Sequence, residues 1–362
     1  MPARSLYVHI PFCRSICGYC DFTKLLYREE FSFAYIQELK KEILSKNLGP
    51  MDTIYVGGGT PSALSLDELQ ELFSLLARYV KDDTEFTVEA NPESFDLEKA
   101  KLFASFGVNR LSFGLESARE DALRMMGREH SLGDLQNALN IARGVGISNL
   151  NVDLIYALPG EKMGELKEDI DALLSLGVPH LSTYSLTVGK GSIFAKKGMK
   201  ETEQDEQAEQ YELILASFRK EGYIRYEVSN FAKAGFESRH NKTYWKDEEY
   251  AGVGLGASGY EEGIRYTNTK SLAKYLAGKH RDIIEKDDEE DALKYYFLTN
   301  LRLAEGFSLS DFEHRFGFSF LTRYEKTLSS LSKRGLLRCE GGRVFPTDQG
   351  VLLLDQILLS LF

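Results

Sequence analysis

The 362-residue sequence lacks a long hydrophobic run, a secretory signal and an excess of positive charge. No stretch reaches the roughly 18 apolar residues that a membrane-spanning helix needs, and the first residues, Met-Pro-Ala-Arg-Ser-Leu-Tyr-Val, contain no apolar signal core. The net charge of −11 argues against a general nucleic-acid-binding protein. With 43% hydrophobic residues, the chain can bury a sizeable core. These features predict a soluble globular protein of the cytoplasm.

Cysteine is also scarce, because the chain has only four, and three of them stand together as C-x3-C-x2-C. Cys13, Cys17 and Cys20 share one short loop, whereas Cys339 is near the other end of the sequence. An odd cluster without a secretory signal argues against disulfides. Thiolates are soft ligands, so the loop predicts an iron–sulfur cluster, with zinc held by the cysteines and His9 as the alternative. On a four-iron cluster, three cysteines leave one iron open to a small molecule.

Short β-prone runs alternate with helical patterns over the first two thirds of the sequence. Strands are predicted at 6–10, 53–56, 85–90, 110–113, 149–156 and 180–186. Helices are predicted at 31–46, 66–80, 96–106, 119–127, 133–144, 163–176 and 203–221. Six βα units predict a parallel sheet, either an open relative of the β/α barrel or a doubly wound flavodoxin-like sheet. The distinctive motifs fall mostly at the C-terminal ends of strands, where barrels of this kind carry their chemistry, and this favours the barrel.

One such motif is the glycine-rich run at residues 57–61, Gly-Gly-Gly-Thr-Pro, which follows the second strand. It lacks the Lys-Ser/Thr pair of a phosphate-binding loop. Three glycines allow the backbone to approach a ligand closely, although a simple turn would explain the same residues.

The string HIPFCRSICGYCDF at residues 9–22 resembles the signature of the radical S-adenosylmethionine (SAM) enzymes, in the branch related to oxygen-independent coproporphyrinogen III oxidase. In that superfamily the three cysteines hold a [4Fe–4S] cluster, and the open iron chelates SAM. The resemblance covers residues 4 to about 260 with specific motifs, and the remainder more loosely. It implies a partial (βα)6 barrel that carries both cofactors.

By the same resemblance, residues at several strand ends would contact SAM. The glycine loop would hold its methionine part, Glu89 would accept hydrogen bonds from the ribose, and Arg128 would pair with the carboxylate. Arg128 has a solvated cation as its alternative, and Asp153 is either a SAM contact or a buried structural carboxylate. Glu116 stands where this branch usually has glutamine, so its role is left open. The full predicted set is Tyr7, Tyr19, Gly58, Gly59, Thr60, Glu89, Glu116, Arg128 and Asp153, with both tyrosines acting mainly through their backbone.

Residues 239–245, Arg-His-Asn-Lys-Thr-Tyr-Trp, contain the only tryptophan of the chain. Histidine is a good axial ligand for heme iron, and aromatic side chains can stack on a porphyrin. His-Asn-x-x-Tyr-Trp resembles a motif of heme-binding members of this branch, which implies His240 as a heme ligand. The alternative is a loop packed by Tyr244 and Trp245, with His240 at the surface. Residues 254–259 fit G-x-G-x-x-G, but no helix pattern follows, so a dinucleotide-binding fold is rejected.

Residues 286–362 predict a different unit. Helices are expected near 292–303, 308–316, 320–334 and 348–362, with a hairpin over 336–344. This pattern predicts a winged-helix-like domain, for which DNA binding is a rival role supported by Lys333, Arg334, Arg338 and Arg343. The acidic chain argues against it. The predicted organisation is a radical SAM barrel over 1–235, a connecting segment over 236–285 and this C-terminal domain over 286–362.

Two functions are compatible with these motifs. The first is a heme-binding chaperone that gives heme to client hemoproteins, with membrane-bound respiratory proteins as expected clients and no nucleic acid as partner. A homodimer and peripheral membrane association are left open. The second is a coproporphyrinogen III oxidase, which decarboxylates its substrate with a SAM-derived radical. The oxidases have a fourth cysteine where this sequence has Phe22, and an N-terminal extension that is expected to be missing before Tyr7. Both differences favour the chaperone.

Overall fold

The computed structural model describes residues 3–362, so the first two residues of the predicted barrel domain lie outside it. The strands, in chain order, are β1 Ser5–Ile10, β2 Phe12–Cys13, β3 Leu25–Leu26, β4 Thr53–Gly58, β5 Glu85–Ala90, β6 Arg110–Glu116, β7 Asn149–Tyr156, β8 His180–Ser185, β9 Ile224–Arg225, β10 Asn230–Ala232, β11 Ala251–Val253, β12 Ser258–Glu261, β13 Ile264–Asn268, β14 Arg281–Lys286, β15 Phe307–Ser308, β16 Leu337–Glu340 and β17 Arg343–Pro346. The α-helices are α1 Glu29–Ser45, α2 Leu66–Leu76, α3 Leu97–Ser105, α4 Glu120–Met126, α5 Leu132–Gly144, α6 Met163–Ser175, α7 Ile193–Lys196, α8 Gln204–Lys220, α9 Arg239–Trp245, α10 Leu272–Leu276, α11 Glu289–Asn300, α12 Leu309–Phe316, α13 Phe320–Arg323, α14 Glu325–Lys333, α15 Asp348–Leu352 and α16 Leu354–Leu361.

The largest sheet is parallel over most of its width, and from β1 to β8 its strands lie in chain order. The order is β11-β1-β4-β5-β6-β7-β8, all parallel, followed by antiparallel β10 and β9. A doubly wound sheet would reverse its order at a switch point, and this sheet does not. Because the sheet ends at β11 on one side and β9 on the other, the barrel is open. The predicted partial (βα)6 barrel is confirmed.

Most predicted strands and helices are found within a few residues of their expected limits. β5 and β7 occupy the expected residues, whereas β6 continues past 113 to Glu116 and is buried along its whole length. The helix predicted at 66–80 is α-helical only to Leu76, and a short 3-10 turn follows. Ser65 begins α2 with a capping box, in which its side chain and Glu68 satisfy each other's backbone N–H groups.

The segment predicted as a connector, residues 236–285, is part of the barrel's own structure. Its strand β11 pairs with β1 at the edge of the main sheet, and Tyr275 packs in the barrel core. The segment also holds α9, α10 and a three-stranded antiparallel sheet, β12-β13-β14. Periodicity missed these strands because the short stretches alternate weakly, and β11 is stabilised by pairing distant in sequence.

Residues after 288 build a second hydrophobic core from helices and the antiparallel sheet β15-β17-β16, as a winged-helix-like domain requires. The helix predicted at 320–334 is broken at Tyr324, where the ring turns to pack 5.0 Å from Phe320 and 5.4 Å from Phe297. The predicted final helix is likewise interrupted, at Leu353. Within the described residues, no helix has the length and apolar content to cross a membrane.

Two of the four cations that would support DNA binding, Arg334 after α14 and Arg343 on β17, are engaged in contacts within the C-terminal domain. Arg343 donates to the backbone carbonyls of Glu305 and Gly306 at 2.9 and 3.0 Å, and Arg334 donates to Gln356 at 2.9 Å. These contacts stabilise the C-terminal domain, which supports a structural role for these two cations.

Candidate cofactor site

The cysteine loop, residues 11–24, begins at the carboxyl end of β1 and is held in place by backbone hydrogen bonds. The N–H of Gly59 donates to the carbonyl of Ile10 at 2.8 Å, and the N–H of Gly18 donates to the carbonyl of Met126 at 2.8 Å. The loop is therefore fastened both to the end of β4 and to the end of α4. These anchors lie at the carboxyl ends of the parallel strands, where the sequence predicts the site.

Cys13, Cys17 and Cys20 are free thiols in this loop. Burial raises the pKa of Cys13 to about 11, and it also raises the pKa of Cys20. A metal centre would therefore have to displace the thiol protons as it binds. Three neighbouring unpaired thiols on one anchored loop fit an iron–sulfur cluster, which distributes its cysteine ligands over separate iron atoms.

The alternative of zinc with His9 as fourth ligand does not fit this geometry. The His9 ring donates from Nε2 to the carbonyl of Thr23 at 2.8 Å and accepts at Nδ1 from the Tyr7 hydroxyl, 2.9 Å away. Burial lowers the pKa of His9 to about 4, so the ring is neutral and both nitrogens are engaged. Across residues 3–362, no three His, Cys, Asp or Glu side chains converge closely enough to hold a single metal ion.

The glycines after β4 are required by contacts within the protein. Gly58 has φ +110°, and a Cβ added to it would collide with the His9 ring. A Cβ on Gly59 would lie 2.7 Å from the carbonyl carbon of Pro11, in the backbone of the cysteine loop. The sequence predicted close approach to a ligand, and the structure shows close approach to β1 and the cysteine loop. Contact between this backbone and SAM stays a prediction.

Glu116 and Arg128 form a buried pair beside the cysteines. Nη2 of Arg128 donates to Oε1 of Glu116 at 3.2 Å, and Nη1 is 3.6 Å from Sγ of Cys17. The Tyr19 hydroxyl also donates to Glu116, at 2.9 Å, so its side chain takes part in the site, contrary to the prediction of a mainly backbone role. Burial raises the pKa of Glu116, and the Arg128 guanidinium opposes that rise. The alternative of a solvated Arg128 is wrong, because its side chain is only 6% exposed.

The backbone of Glu116 adds a second sign of a specialised site. Its φ is +66°, a left-handed conformation that non-glycine residues adopt only at a cost of about 1–3 kcal/mol. The parallel pairing with β7 shifts register at this point. The bulge turns the Glu116 carboxylate towards Arg128 and the cysteine loop.

Glu89 and Asp153 lie at neighbouring positions inside the barrel. Glu89 accepts from the Tyr55 hydroxyl at 2.7 Å and from the N–H of Gly58 at 2.9 Å. Asp153 accepts from the amide of Asn151 at 2.7 Å. Burial raises the pKa of Asp153 to about 7, and the nearby Glu116 and Glu89 carboxylates add to this rise.

Most predicted positions meet at one end of the barrel, and two supporting residues were missed. The ring of Tyr7 lies 6.1 Å from that of Tyr55, and its hydroxyl is 2.9 Å from Nδ1 of His9. Its contact with SAM through the backbone stays a prediction. The missed residues are Tyr55, which positions Glu89, and Asn91, whose Oδ1 accepts from Arg128 at 3.3 Å. Asn91 directly follows β5, and its place at a strand end was a signal that could have identified it.

The raised pKa of Asp153 predicts a pH-dependent stability. An unfolded aspartate ionises near pH 4, whereas the folded Asp153 keeps its proton to about pH 7, so the folded chain binds the extra proton between these values. Stability should therefore fall as pH rises from about 4 to about 7, by up to about 1.4 kcal/mol per pH unit for this group. Asp153→Asn should flatten the slope in urea unfolding measured from pH 5 to 8. Asp171→Asn, at an exposed position on α6, should keep the wild-type slope; equal slopes in both variants would contradict the prediction.

The histidine predicted as a heme ligand lies at the opposite end of the barrel. His240 is on α9, which covers the first residues of β4 and β5: its backbone N–H donates to Glu85 at 3.0 Å, and its Nδ1 is 2.7 Å from the Thr53 hydroxyl. Thr53 begins β4, whose five steps of roughly 3.3 Å separate it from the glycine loop by about 16 Å. Residues 239–245 therefore form a helix that covers the amino-terminal end of the barrel strands.

In this structure neither ring nitrogen of His240 is open to an iron atom. Nε2 is 2.7 Å from the Tyr244 hydroxyl, the ring stacks 5.1 Å from that of Tyr55, and the residue is 1% exposed. Burial lowers the pKa of His240 to about 3, so the ring stays neutral. The alternative, a loop with His240 at the surface, is also wrong, because the segment is helical and His240 is buried. Ligation of heme by His240 would require α9 to leave the barrel.

The His240 contacts predict a structural cost of its removal. His240→Ala should lower the free energy of unfolding by about 2 kcal/mol, because two buried hydrogen bonds and an aromatic contact are lost. Urea unfolding would measure this. The exposed His314→Ala on α12 should change stability little and is the control. A stable His240→Ala variant with an altered hemin spectrum would instead show that the ring is free to bind heme.

The fold and the cysteine site define a member of the Radical SAM superfamily. The superfamily's sequence model matches residues 7–173, and that of the HemN C-terminal domain matches residues 287–353. The solved coproporphyrinogen III oxidase HemN of Escherichia coli superimposes with a TM-score of 0.87, covering 99% of this chain and 90% of that one, at 23% identity. This likeness shows a shared fold.

Curated relatives narrow the class to one family. The chain is 38% identical to the heme chaperone HemW of Bacillus subtilis, covering 98% of each chain. It is 37% identical to the heme chaperone HemW of Lactococcus lactis, covering 96% of this chain and 94% of the relative. The chain belongs to the HemW family.

Proposed function

We propose that this protein is a heme chaperone of the cytoplasm, which carries a [4Fe–4S] cluster with SAM and delivers heme to client hemoproteins. Its HemW relatives are named heme chaperones. The observation that carries the choice over an oxidase is Phe22, 70% exposed at the position where the oxidases have a fourth cysteine. Respiratory hemoproteins at the membrane are the proposed clients.

In this proposal Cys13, Cys17 and Cys20 hold the cluster, which when bound supplies an electron to SAM at its open iron. Arg128 would exchange its Glu116 partner for the SAM carboxylate, and the buried Nε of Arg128, which has no partner in the described residues, supports this role. Glu89 would accept from ribose hydroxyls, because each carboxylate oxygen retains a second acceptor site.

Asp153 would complete the polar lining on the side of β7. With a pKa of about 7, it can exist in either protonation state near neutral pH, so it can donate to or accept from a ligand hydroxyl. Tyr19 would orient Glu116 through its hydroxyl. Ligation of heme by His240 stays a prediction from the sequence and is not part of this proposal, because both ring nitrogens are engaged by Thr53 and Tyr244.

The proposed function is tested by titrating hemin into the anaerobically reconstituted protein and assaying coproporphyrinogen conversion on the same sample. We expect saturable hemin binding, followed by absorbance, and no protoporphyrinogen. Transfer should then appear as incorporation of the bound heme into an added apo-hemoprotein. Formation of protoporphyrinogen would favour the oxidase, and failure to bind hemin would refute the chaperone.

A further inference from the structure

A groove of about 660 Å³ opens beside the cysteine loop. Its walls come from the cysteine loop, β3, the start of α1 and two later segments that include α7 and α10. Four large apolar side chains face this groove and are substantially exposed: Phe22 at 70%, Leu26 at 53%, Phe31 at 43% and Ile193 at 38%. Exposed apolar side chains grouped in one concavity are typical of a binding site.

The same groove carries a local excess of positive charge. Lys24, Arg28, Lys196 and Lys270 line it, and Asp21 is the one acidic side chain among its described lining residues. Within residues 3–362, none of the four cations forms a salt bridge. In a chain of net charge −11, this combination selects for an apolar ligand that bears anionic groups.

We infer that this groove is the docking site for a dicarboxylate tetrapyrrole, which lays its apolar ring against Phe22, Leu26, Phe31 and Ile193 and pairs its carboxylates with Arg28, Lys196 and Lys270. The inference rests on the proposed function and adds to it the place and the mode of recognition. A flat apolar ring with two carboxylates matches both properties of the groove. An anionic membrane surface shares this chemistry, and the vesicle measurement below distinguishes it from the tetrapyrrole.

The lining residues also determine whether the groove can ligate the heme iron. The described lining contains no His, Met, Cys or Tyr side chain, so the groove supplies no usual axial ligand. Binding should therefore depend on the ring and its carboxylates, and the iron stays free for a ligand from the receiving protein. Phe22 is central, because it places the most exposed of these aromatic rings where an oxidase has its fourth cysteine.

The experiment compares three probes on the reconstituted full chain: hemin, iron-free protoporphyrin IX and protoporphyrin dimethyl ester. Fluorescence quenching and absorbance would give the affinities. We expect hemin and protoporphyrin to bind within about threefold of one another, because no metal bond contributes, and the ester to bind at least about tenfold more weakly, because its carboxylates are blocked.

Variants locate the site. Phe22→Ser, and the double variant Lys196→Glu with Lys270→Glu, should each weaken protoporphyrin binding by about tenfold while iron content stays at the wild-type level. The controls make the same changes elsewhere: Phe33→Ser, at a 56% exposed residue of α1 outside the lining, and the double variant Lys101→Glu with Lys333→Glu, at exposed positions on α3 and α14. Both should bind as the wild type does.

Several outcomes would overturn the inference without touching the proposed function. Wild-type affinity in all groove variants would place the tetrapyrrole elsewhere. Binding of hemin but not protoporphyrin, lost in His240→Ala, would move the site to α9. If the groove variants lost affinity for phosphatidylglycerol vesicles and not for protoporphyrin, the groove would be a membrane contact. Failure of the wild type to bind either porphyrin would instead refute the proposed function.

Discussion

Replacement of Cys13, Cys17 and Cys20 together by serine should abolish the iron–sulfur cluster. The reconstituted wild type should contain about four iron atoms per chain and the triple variant almost none, because a serine hydroxyl does not replace a thiolate as a ligand for soft iron–sulfur centres. Iron and sulfide analysis, together with the visible absorbance of the anaerobic protein, would measure the loss. The effect is all or nothing, since these are the only cysteines at the site.

The fourth cysteine provides a matched control in the same chain. Cys339 is exposed on β16 of the C-terminal domain and is not part of the cysteine loop, so Cys339→Ser should retain the full iron content. Iron that persists in the triple variant, or a wild type that takes up zinc alone, would show that the cluster assignment is wrong.

Gly59→Ala should both destabilise the protein and prevent cluster assembly. The new methyl group would lie 2.7 Å from the Pro11 carbonyl carbon and 2.8 Å from the Ile10 carbonyl oxygen. Both atoms belong to the backbone and cannot rotate away, so β1 and the cysteine loop must move. Overpacking of this kind costs about 1–3 kcal/mol, and here it also displaces the metal ligands. Urea unfolding and iron content would be measured, with SAM binding by equilibrium dialysis.

Gly49→Ala is the control for this prediction. Gly49 precedes the same strand, and a Cβ added there meets nothing within 4 Å. This variant should retain stability, iron and SAM binding. A Gly59→Ala protein with normal iron content but no affinity for SAM would contradict the steric account and would restore the original prediction, in which the glycine serves the ligand alone.

Local pattern was sufficient for much of the architecture. β5 and β7 were predicted residue for residue, because in each strand apolar residues alternate with polar ones between turn or helix signals. The cysteine loop needed only the spacing of three thiols. In each case the information lies within one short segment of the chain.

The sequence by itself determined the six βα units, the cysteine loop and the strand ends at which polar residues gather, since periodicity and spacing are local properties. Only the tertiary structure decided the order of the strands, the addition of β11 beside β1, and the burial of His240 under Tyr55. It also decided that Phe22 faces an open groove and that Gly59 touches the loop that precedes Cys13. These are contacts between residues far apart in the chain, and their partners are chosen by packing and by backbone pairing, which no single segment encodes.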